Sequence, residues 1–223
     1  EVLGYKALKT DNRVTLPAHY FKVNTKDYIC IIDVEGKIYI TDRRGEIKIK
    51  LKERFPQAIE KFFIEAGSDN EHTYLIAADS TGKITRISLG DSKEQFRFKR
   101  FDPPVHMDYT DINNDNQNDY VFLSGKELNV YDQQKKILLN YKFKEHTLPY
   151  PLVMTLPPDQ TIKIGAVSST GNQIYLLNSN GSSTPNFPVK GKTLFTIGNI
   201  TNEDVLFLIT GSAENNLIAY PLE

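Results

Sequence analysis

The sequence repeats one pattern of short apolar segments and polar turns five times, and this repetition constrains the fold more than any other feature. Glycine marks the same turn in the first four units, and these glycines recur about every 45 residues. They are Gly36, Gly82, Gly125 and Gly171. That spacing is typical of the roughly 40–50 residues of a four-stranded β-propeller blade.

The apolar segments are the length of strands and rich in β-branched and aromatic residues, as in Tyr28–Ile32 and Ile38–Ile40. The sequence therefore predicts an all-β chain, a β-propeller of about five four-stranded antiparallel blades in a single domain over residues 1–223. Glycine suits the turns because hairpins need a positive φ there. The predicted repeats cover approximately residues 19–60, 61–104, 105–149, 150–192 and 193–223, the last completed by 1–18.

Two segments are open to more than one interpretation. The stretch 54–63 places phenylalanines at helical spacing, but we interpret it as the connection between the first two units. The fifth unit ends after its third strand. We therefore expect part of residues 1–16 to pair with 216–222 and close the ring, because an unpaired strand leaves backbone groups exposed. The alternative is an arc of a larger propeller.

Composition argues against several classes of partner. Lys+Arg 27 against Asp+Glu 28 gives a net charge of -1, so we expect no nucleic-acid binding, which needs a concentrated positive face. No apolar run approaches the roughly 20 residues of a membrane span. The single cysteine, Cys30, lies in an apolar run and is predicted to be a buried core residue.

Two short motifs resemble known propeller repeats. The segment Asp33–Tyr39 resembles the quinoprotein-like (PQQ-like) repeat, and Asp111–Asp119 resembles the calcium loop of FG-GAP (VCBS, integrin α-like) repeats. The tail from Phe187 to Gly191 looks like extracytoplasmic bacterial propellers that mix both patterns. The resemblance implies an extracytoplasmic location. It does not imply a quinone cofactor, because the chain has no tryptophan of the kind that docks blades in those dehydrogenases. Since the sequence begins at Glu1, we also expect it to be part of a longer polypeptide.

The Asp111–Asp119 loop is the best candidate for binding chemistry. Ca²⁺ prefers six to eight oxygen ligands from carboxylates, amides and carbonyls. The predicted ligands are the side chains of Asp111, Asn113, Asp115 and Asp119 with the carbonyl of Gln117. Asn116 stands where glycine is usual, and asparagine tolerates left-handed geometry. The alternative is an Asn/Asp-rich turn capped by its own side chains.

The sequence favours a non-catalytic scaffold or binding module that recognises a protein or a polysaccharide, with calcium in a structural role. Loops on a propeller suit recognition, and no zinc-ligand spacing, nucleophile motif or phosphate loop is present. The alternative is a five-bladed glycoside hydrolase with Glu65 and Asp108 on innermost strands.

Lysines alternate with apolar residues on the predicted outer strands, as in Ile47–Lys52. Two interpretations remain open: a basic rim that attracts an anionic polymer or lipid head group, or protection of an exposed strand edge.

Overall fold

The strands in the described part of the chain form five antiparallel sheets. The structure, a computed structural model, describes residues 7–57, 59–201, 203 and 205–222. All regular secondary structure in these residues is β, and none of it is helical. The predicted all-β class is therefore confirmed, and each predicted repeat contains one sheet.

The chain divides into two compact units, Glu1–Phe101 and Asp102–Glu223. The first unit holds two four-stranded sheets with neighbouring strands in sequence order. Their strands are β1 His19–Val23, β2 Lys26–Ile32, β3 Ile38–Thr41 and β4 Ile47–Ile49, then β5 Phe63–Glu65, β6 Tyr74–Ala78, β7 Ile84–Ser88 and β8 Lys93–Phe96. The assignment of all 223 residues to one domain stays a prediction.

The second unit holds three sheets, and its last sheet has three strands among the described residues. The third sheet is formed by β9 Val105–Thr110, β10 Asp119–Ser124, β11 Glu127–Tyr131 and β12 Ile137–Lys142. The fourth is formed by β13 Leu152–Leu156, β14 Thr161–Val167, β15 Gln173–Asn178 and β16 Val189–Lys190. The fifth is formed by β17 Thr196–Gly198, β18 Leu206–Gly211 and β19 Leu217–Leu222.

The hydrophobic cores are formed by side chains of the inner strands, and in β2 every second side chain points into the core. In β2, Tyr28, Cys30 and Ile32 are buried and pack in one cluster of the first unit. Cys30 is fully buried, as predicted, and burial raises the pKa of its thiol. In the third sheet, every residue of β10 is buried, whereas one of the six residues of the outer strand β12 is buried. The second and third strands of a sheet therefore carry most of its core.

The turn glycines behave as predicted in three of the four positions. Gly36, Gly82 and Gly125 have positive φ angles of 74°, 76° and 56°. The prediction is wrong at Gly171. Its neighbour Asn172 takes the left-handed conformation there with a φ of 49°, which asparagine tolerates.

The segment between the first two sheets is a connection, as interpreted, and the helical alternative is wrong for its described residues, 54–57 and 59–63. Phe55 and Phe62 are buried in the core of the first unit. The Phe55 amide donates a 3.0 Å hydrogen bond to the Gly36 carbonyl, which ties the connection to the β2–β3 turn. The phenylalanines are therefore spaced as in a helix because Phe55 and Phe62 each contact the same core, and no helix is formed.

The N-terminal segment contacts the first sheet through Asp33. Val14 forms an antiparallel bridge with Asp33, and the Val34 amide donates to the Arg13 carbonyl at 2.9 Å. The Asp33 carboxylate accepts hydrogen bonds from Asn12 and from the Tyr39 hydroxyl, both at 3.1 Å. The predicted pairing with 216–222 falls partly on residues 1–6, which lie outside the described residues, so ring closure stays a prediction.

Candidate functional site

The Asp111–Asp119 loop is the connection between β9 and β10. The two strands pair antiparallel, with Thr110 opposite Asp119, so the first and last acidic positions of the motif are held at the base of a closed hairpin. The side chains between them project from a turn whose middle is exposed. The sheet thus fixes the ends of the loop and leaves its tip open to solvent.

Backbone amides of the loop converge on the carboxylate of Asp111. Asp111 accepts hydrogen bonds from the amides of Asn113 at 3.2 Å, Asp115 at 3.3 Å and Asn116 at 2.8 Å. The Asp115 carboxylate accepts from the Gln117 amide at 2.8 Å and from the Asn113 side-chain amide at 3.0 Å. This network holds the loop as a tight coil around its first aspartate.

Two asparagines supply the left-handed geometry that this coil requires. Asn114 has a φ of 61° and Asn116 a φ of 66°. Asn116 occupies the place where the resembled motif carries glycine. The substitution is tolerated because asparagine enters the left-handed region more readily than most residues. Asparagine thus provides a positive φ at the position where the resembled motif carries glycine.

Asp119 is the unusual member of the set. Its side chain is fully buried, and its Oδ2 accepts a 2.9 Å hydrogen bond from the Ile112 amide. Its Oδ1 has no hydrogen-bond partner among the described residues. Burial raises the pKa of this carboxyl to about 6, and the negative charges of Asp115, Asp111 and Asp132 add to the shift. A buried carboxylate oxygen without a donor is costly, and a cation offsets that cost.

The predicted ligands lie in one loop, but the structure does not draw them into a ready-made metal site. Within the described ranges, no three Asp, Glu, His or Cys side chains are placed so that they could hold a metal ion. The carboxylates of Asp111 and Asp115 bind amides of their own loop instead. The donor set still has the chemistry that a hard cation prefers, because it consists of carboxylate and amide oxygens.

The two carboxylates of the hydrolase alternative belong to different compact units. Glu65 on β5 pairs with Arg86, whose Nη2 lies 3.1 Å from Glu65 Oε1. The Arg86 guanidinium in turn lies 3.5 Å from the ring centroid of Tyr74. Asp108 on β9 accepts a hydrogen bond from the Tyr109 amide at 2.9 Å. Both carboxylates thus have structural contacts, and catalysis stays a prediction without a supporting observation.

Sequence reasoning missed a charged groove in the first unit. It lies where the β1–β2 and β3–β4 turns come together, and Lys26, Arg43 and Arg44 are among its lining residues. The adjacent Arg43 and Arg44 in a predicted turn were the available signal. Local pattern could not show that a second turn lies beside them.

Comparison with known proteins identifies the fold. The sequence matches no protein-family model and no curated protein sequence. It is structurally similar to BBS1N, solved in complex with ARL6DN, at a TM-score of 0.61 and 15% identity, covering 97% of this chain and 67% of that chain. It is also similar to virginiamycin B lyase from Staphylococcus aureus, at a TM-score of 0.51 and 14% identity, covering 96% and 72%. These neighbours are β-propeller proteins. The chain has a β-propeller fold.

A third neighbour extends the range of functions on this fold. It is the dihydro-heme d1 dehydrogenase NirN in complex with DHE, with a TM-score of 0.54 and 6% identity, covering 87% of this chain and 43% of that chain. Likeness at this level of identity shows the fold alone, because propellers host unrelated functions. Membership of the quinoprotein-like or FG-GAP families stays a prediction. None of the described residues forms a helix able to cross a membrane.

Proposed function

We propose that the protein is a non-catalytic, extracytoplasmic propeller module for protein or polysaccharide recognition, with one structural Ca²⁺ ion in the Asp111–Asp119 loop. The observation that carries the calcium proposal is the buried Asp119 carboxylate, whose Oδ1 lacks a partner among the described residues. A divalent cation at the loop would balance that charge and the neighbouring Asp111 and Asp115.

Calcium in this position acts on structure rather than on a reaction. Asp119 begins β10, a strand buried along its whole length, and the loop joins β10 to β9. An ion that holds Asp111, Asp115 and Asp119 together would therefore fasten the first two strands of the third sheet. Asn113 and Gln117 complete the proposed set with an amide oxygen and a backbone carbonyl.

The recognition role is supported at the level of the fold. Propellers present loops at the ends of every blade, and binding residues concentrate on loops held by a rigid scaffold. One structural neighbour, BBS1N, was solved in complex with a partner protein, ARL6DN. Recognition of a protein or polysaccharide is therefore a use that this scaffold supports without any catalytic group.

Thermal unfolding with and without calcium tests the proposal. Calcium at about 100 times its dissociation constant should add about 2.7 kcal/mol of stability, because it binds only the folded loop. For a chain of this size the transition should rise by about 5–10 °C relative to a sample in chelator. Asp115→Ala should abolish the rise.

Asp159→Ala is the matched control, because Asp159 is an exposed aspartate of the same compact unit outside the loop. It should keep the full calcium response. Superimposable curves for the unmutated protein in calcium and in chelator would refute the structural calcium.

A further inference from the structure

The turn between β11 and β12 contacts the end of the Asp111–Asp119 loop. Gln133 lies in this turn and is partly buried, and its side-chain amide donates two hydrogen bonds. One goes to the Tyr109 hydroxyl at 2.6 Å, and the other goes to the Asn118 carbonyl at 2.5 Å. Asn118 is the last residue before β10, so a side chain from outside the loop holds the end of the loop.

The orientation of the Gln133 amide follows from its partners. A backbone carbonyl only accepts hydrogen bonds, so the nitrogen of the side-chain amide faces Asn118. That nitrogen carries two hydrogens, and the Tyr109 hydroxyl accepts the second. The Tyr109 ring is buried and lies against the Tyr120 ring, with the ring centroids 4.8 Å apart. Gln133 is therefore anchored on a packed side chain of β9.

The register of the third sheet explains why Gln133 meets Asn118. In the pairing of β10 with β11, Tyr120 lies opposite Tyr131. The same register, continued by two residues beyond the strands, sets Asn118 opposite Gln133. Residues at opposite positions of neighbouring strands are close enough to interact. The contact is thus a consequence of strand pairing.

The contact acts on the buried carboxylate of Asp119. The Asn118 carbonyl that Gln133 binds belongs to the peptide group that leads into Asp119, and a peptide group is planar. Fixing this plane therefore limits where the Asp119 side chain can point. That side chain is fully buried, its Oδ2 accepts a 2.9 Å hydrogen bond from the Ile112 amide, and its Oδ1 has no hydrogen-bond partner among the described residues. Gln133 and Ile112 thus hold Asp119 from two sides and leave Oδ1 available to an ion.

We propose that Gln133 is a positioning residue of the calcium loop, and that its hydrogen bond to the Asn118 carbonyl aims the Asp119 carboxylate at the ion. The inference rests on the proposed structural calcium and adds a residue from a second turn to that site. Groups that hold metal ligands in place from outside the ligand set typically change metal affinity by about 10–100-fold when they are removed. The effect of Gln133 passes through the peptide group before Asp119.

A purely structural glutamine would behave differently. It would stabilise the folded protein to the same extent with and without calcium. Its loss would then lower the free energy of unfolding equally in both conditions and leave the dissociation constant of calcium unchanged. A positioning residue changes the dissociation constant itself, so a measurement of calcium affinity separates the two roles.

Calorimetric titration of the full chain with calcium chloride tests the proposal. Gln133→Met keeps the length of the side chain and removes both hydrogen-bond donors, so it should raise the dissociation constant about tenfold or more. Gln134→Met is the matched control, because Gln134 is the exposed neighbour in the same turn and takes no part in the two hydrogen bonds. It should change the dissociation constant by less than about twofold.

Tyr109→Phe is a second and milder variant. It removes the hydroxyl that anchors the Gln133 amide and keeps the ring beside Tyr120. It should raise the dissociation constant less than Gln133→Met does. Combining the two substitutions should add no further weakening, because the hydroxyl acts through the amide.

Hydrogen exchange in chelator gives a readout that needs no calcium. The Ile112 amide donates to Asp119 Oδ2, so its exchange rate reports how firmly that carboxylate is held. The amide should exchange faster in Gln133→Met than in the unmutated protein, and Gln134→Met should leave its rate unchanged. An equal rate in Gln133→Met would mean that the contact does not position Asp119, and it would overturn the proposal.

A dissociation constant for Gln133→Met within about twofold of the unmutated value, or equal weakening in Gln134→Met, also overturns the proposal. If Gln133→Met does not fold, an unchanged dissociation constant for Tyr109→Phe overturns it. An unmutated protein that binds no calcium refutes the structural ion together with this inference. Calcium binding that does not respond to the loss of Gln133 refutes this inference alone.

Discussion

At the scale of single residues, Asp119 is the position at which the cation loop and the ordinary polar turn make different predictions. Both interpretations of Asp111–Asp119 explain why amides surround the Asp111 carboxylate, because an aspartate-capped turn makes the same hydrogen bonds. The proposed cation would also account for the fully buried carboxylate at the end of the loop, whose Oδ1 lacks a partner among the described residues. Without a cation, this charge opposes folding.

Asp119→Asn should therefore separate the two interpretations. In chelator at pH 7 the variant should be as stable as the unmutated protein or more stable by about 1–3 kcal/mol, because an uncompensated buried charge is removed. In excess calcium the order should reverse, because the variant loses a ligand. Denaturant unfolding in both conditions measures this. A variant that is less stable in chelator and still gains stability from calcium would contradict the role assigned to Asp119.

At the scale of elements, the hairpin turns hold each sheet and its connections in place. Gly36 shows why glycine recurs in them. Its φ is 74°, and a side chain there would collide with the carbonyl of Phe55, which lies in the connection to the second sheet. The turn therefore needs glycine for its backbone conformation and for its contact with the next segment.

Gly36→Ala should lower the free energy of unfolding by at least about 2 kcal/mol, since strain and collision act together. Gly198→Ala is the matched control, because a Cβ at Gly198 meets no atom within 4 Å. It should change stability by less than about 1 kcal/mol. Urea unfolding of both variants gives the comparison, and equal effects would show that the Gly36 turn is not under this constraint.

The elements also show what the sequence can predict. Turn glycines and apolar alternation are local signals, so the five units and their inner strands could be located from sequence. The same signals failed at Gly171, because the left-handed position moved by one residue to Asn172. They could suggest the candidate ligands of the loop. They could not show that Asp119 is buried with no partner for its Oδ1 among the described residues, because that depends on the folded sheet. The charged groove depends on turns distant in sequence, which no local pattern brings together.

At the scale of the whole molecule, burial follows the same order in several sheets. The third strands β3 and β11 are almost wholly buried, whereas the fourth strands β4, β8 and β12 hold one buried residue between them. Basic residues on the fourth strands are consistent with edge protection. Among the described residues of these strands, Lys48 lines the charged groove of the first unit. Both interpretations of the basic strands stay predictions.

Hydrogen exchange of the full chain, in chelator and in excess calcium, tests the central claim most directly because it locates the effect along the sequence. Amides of β10 and β11 should exchange more slowly than those of β12 in either condition, because opening a core strand costs more than opening an edge. Calcium should slow exchange further in the loop 111–118 and in the adjoining β9 and β10. Calcium should leave the exchange rates of the β2 and β3 amides in the first unit unchanged. Exchange that is identical in the two conditions throughout residues 105–124 would contradict a structural calcium ion at this loop.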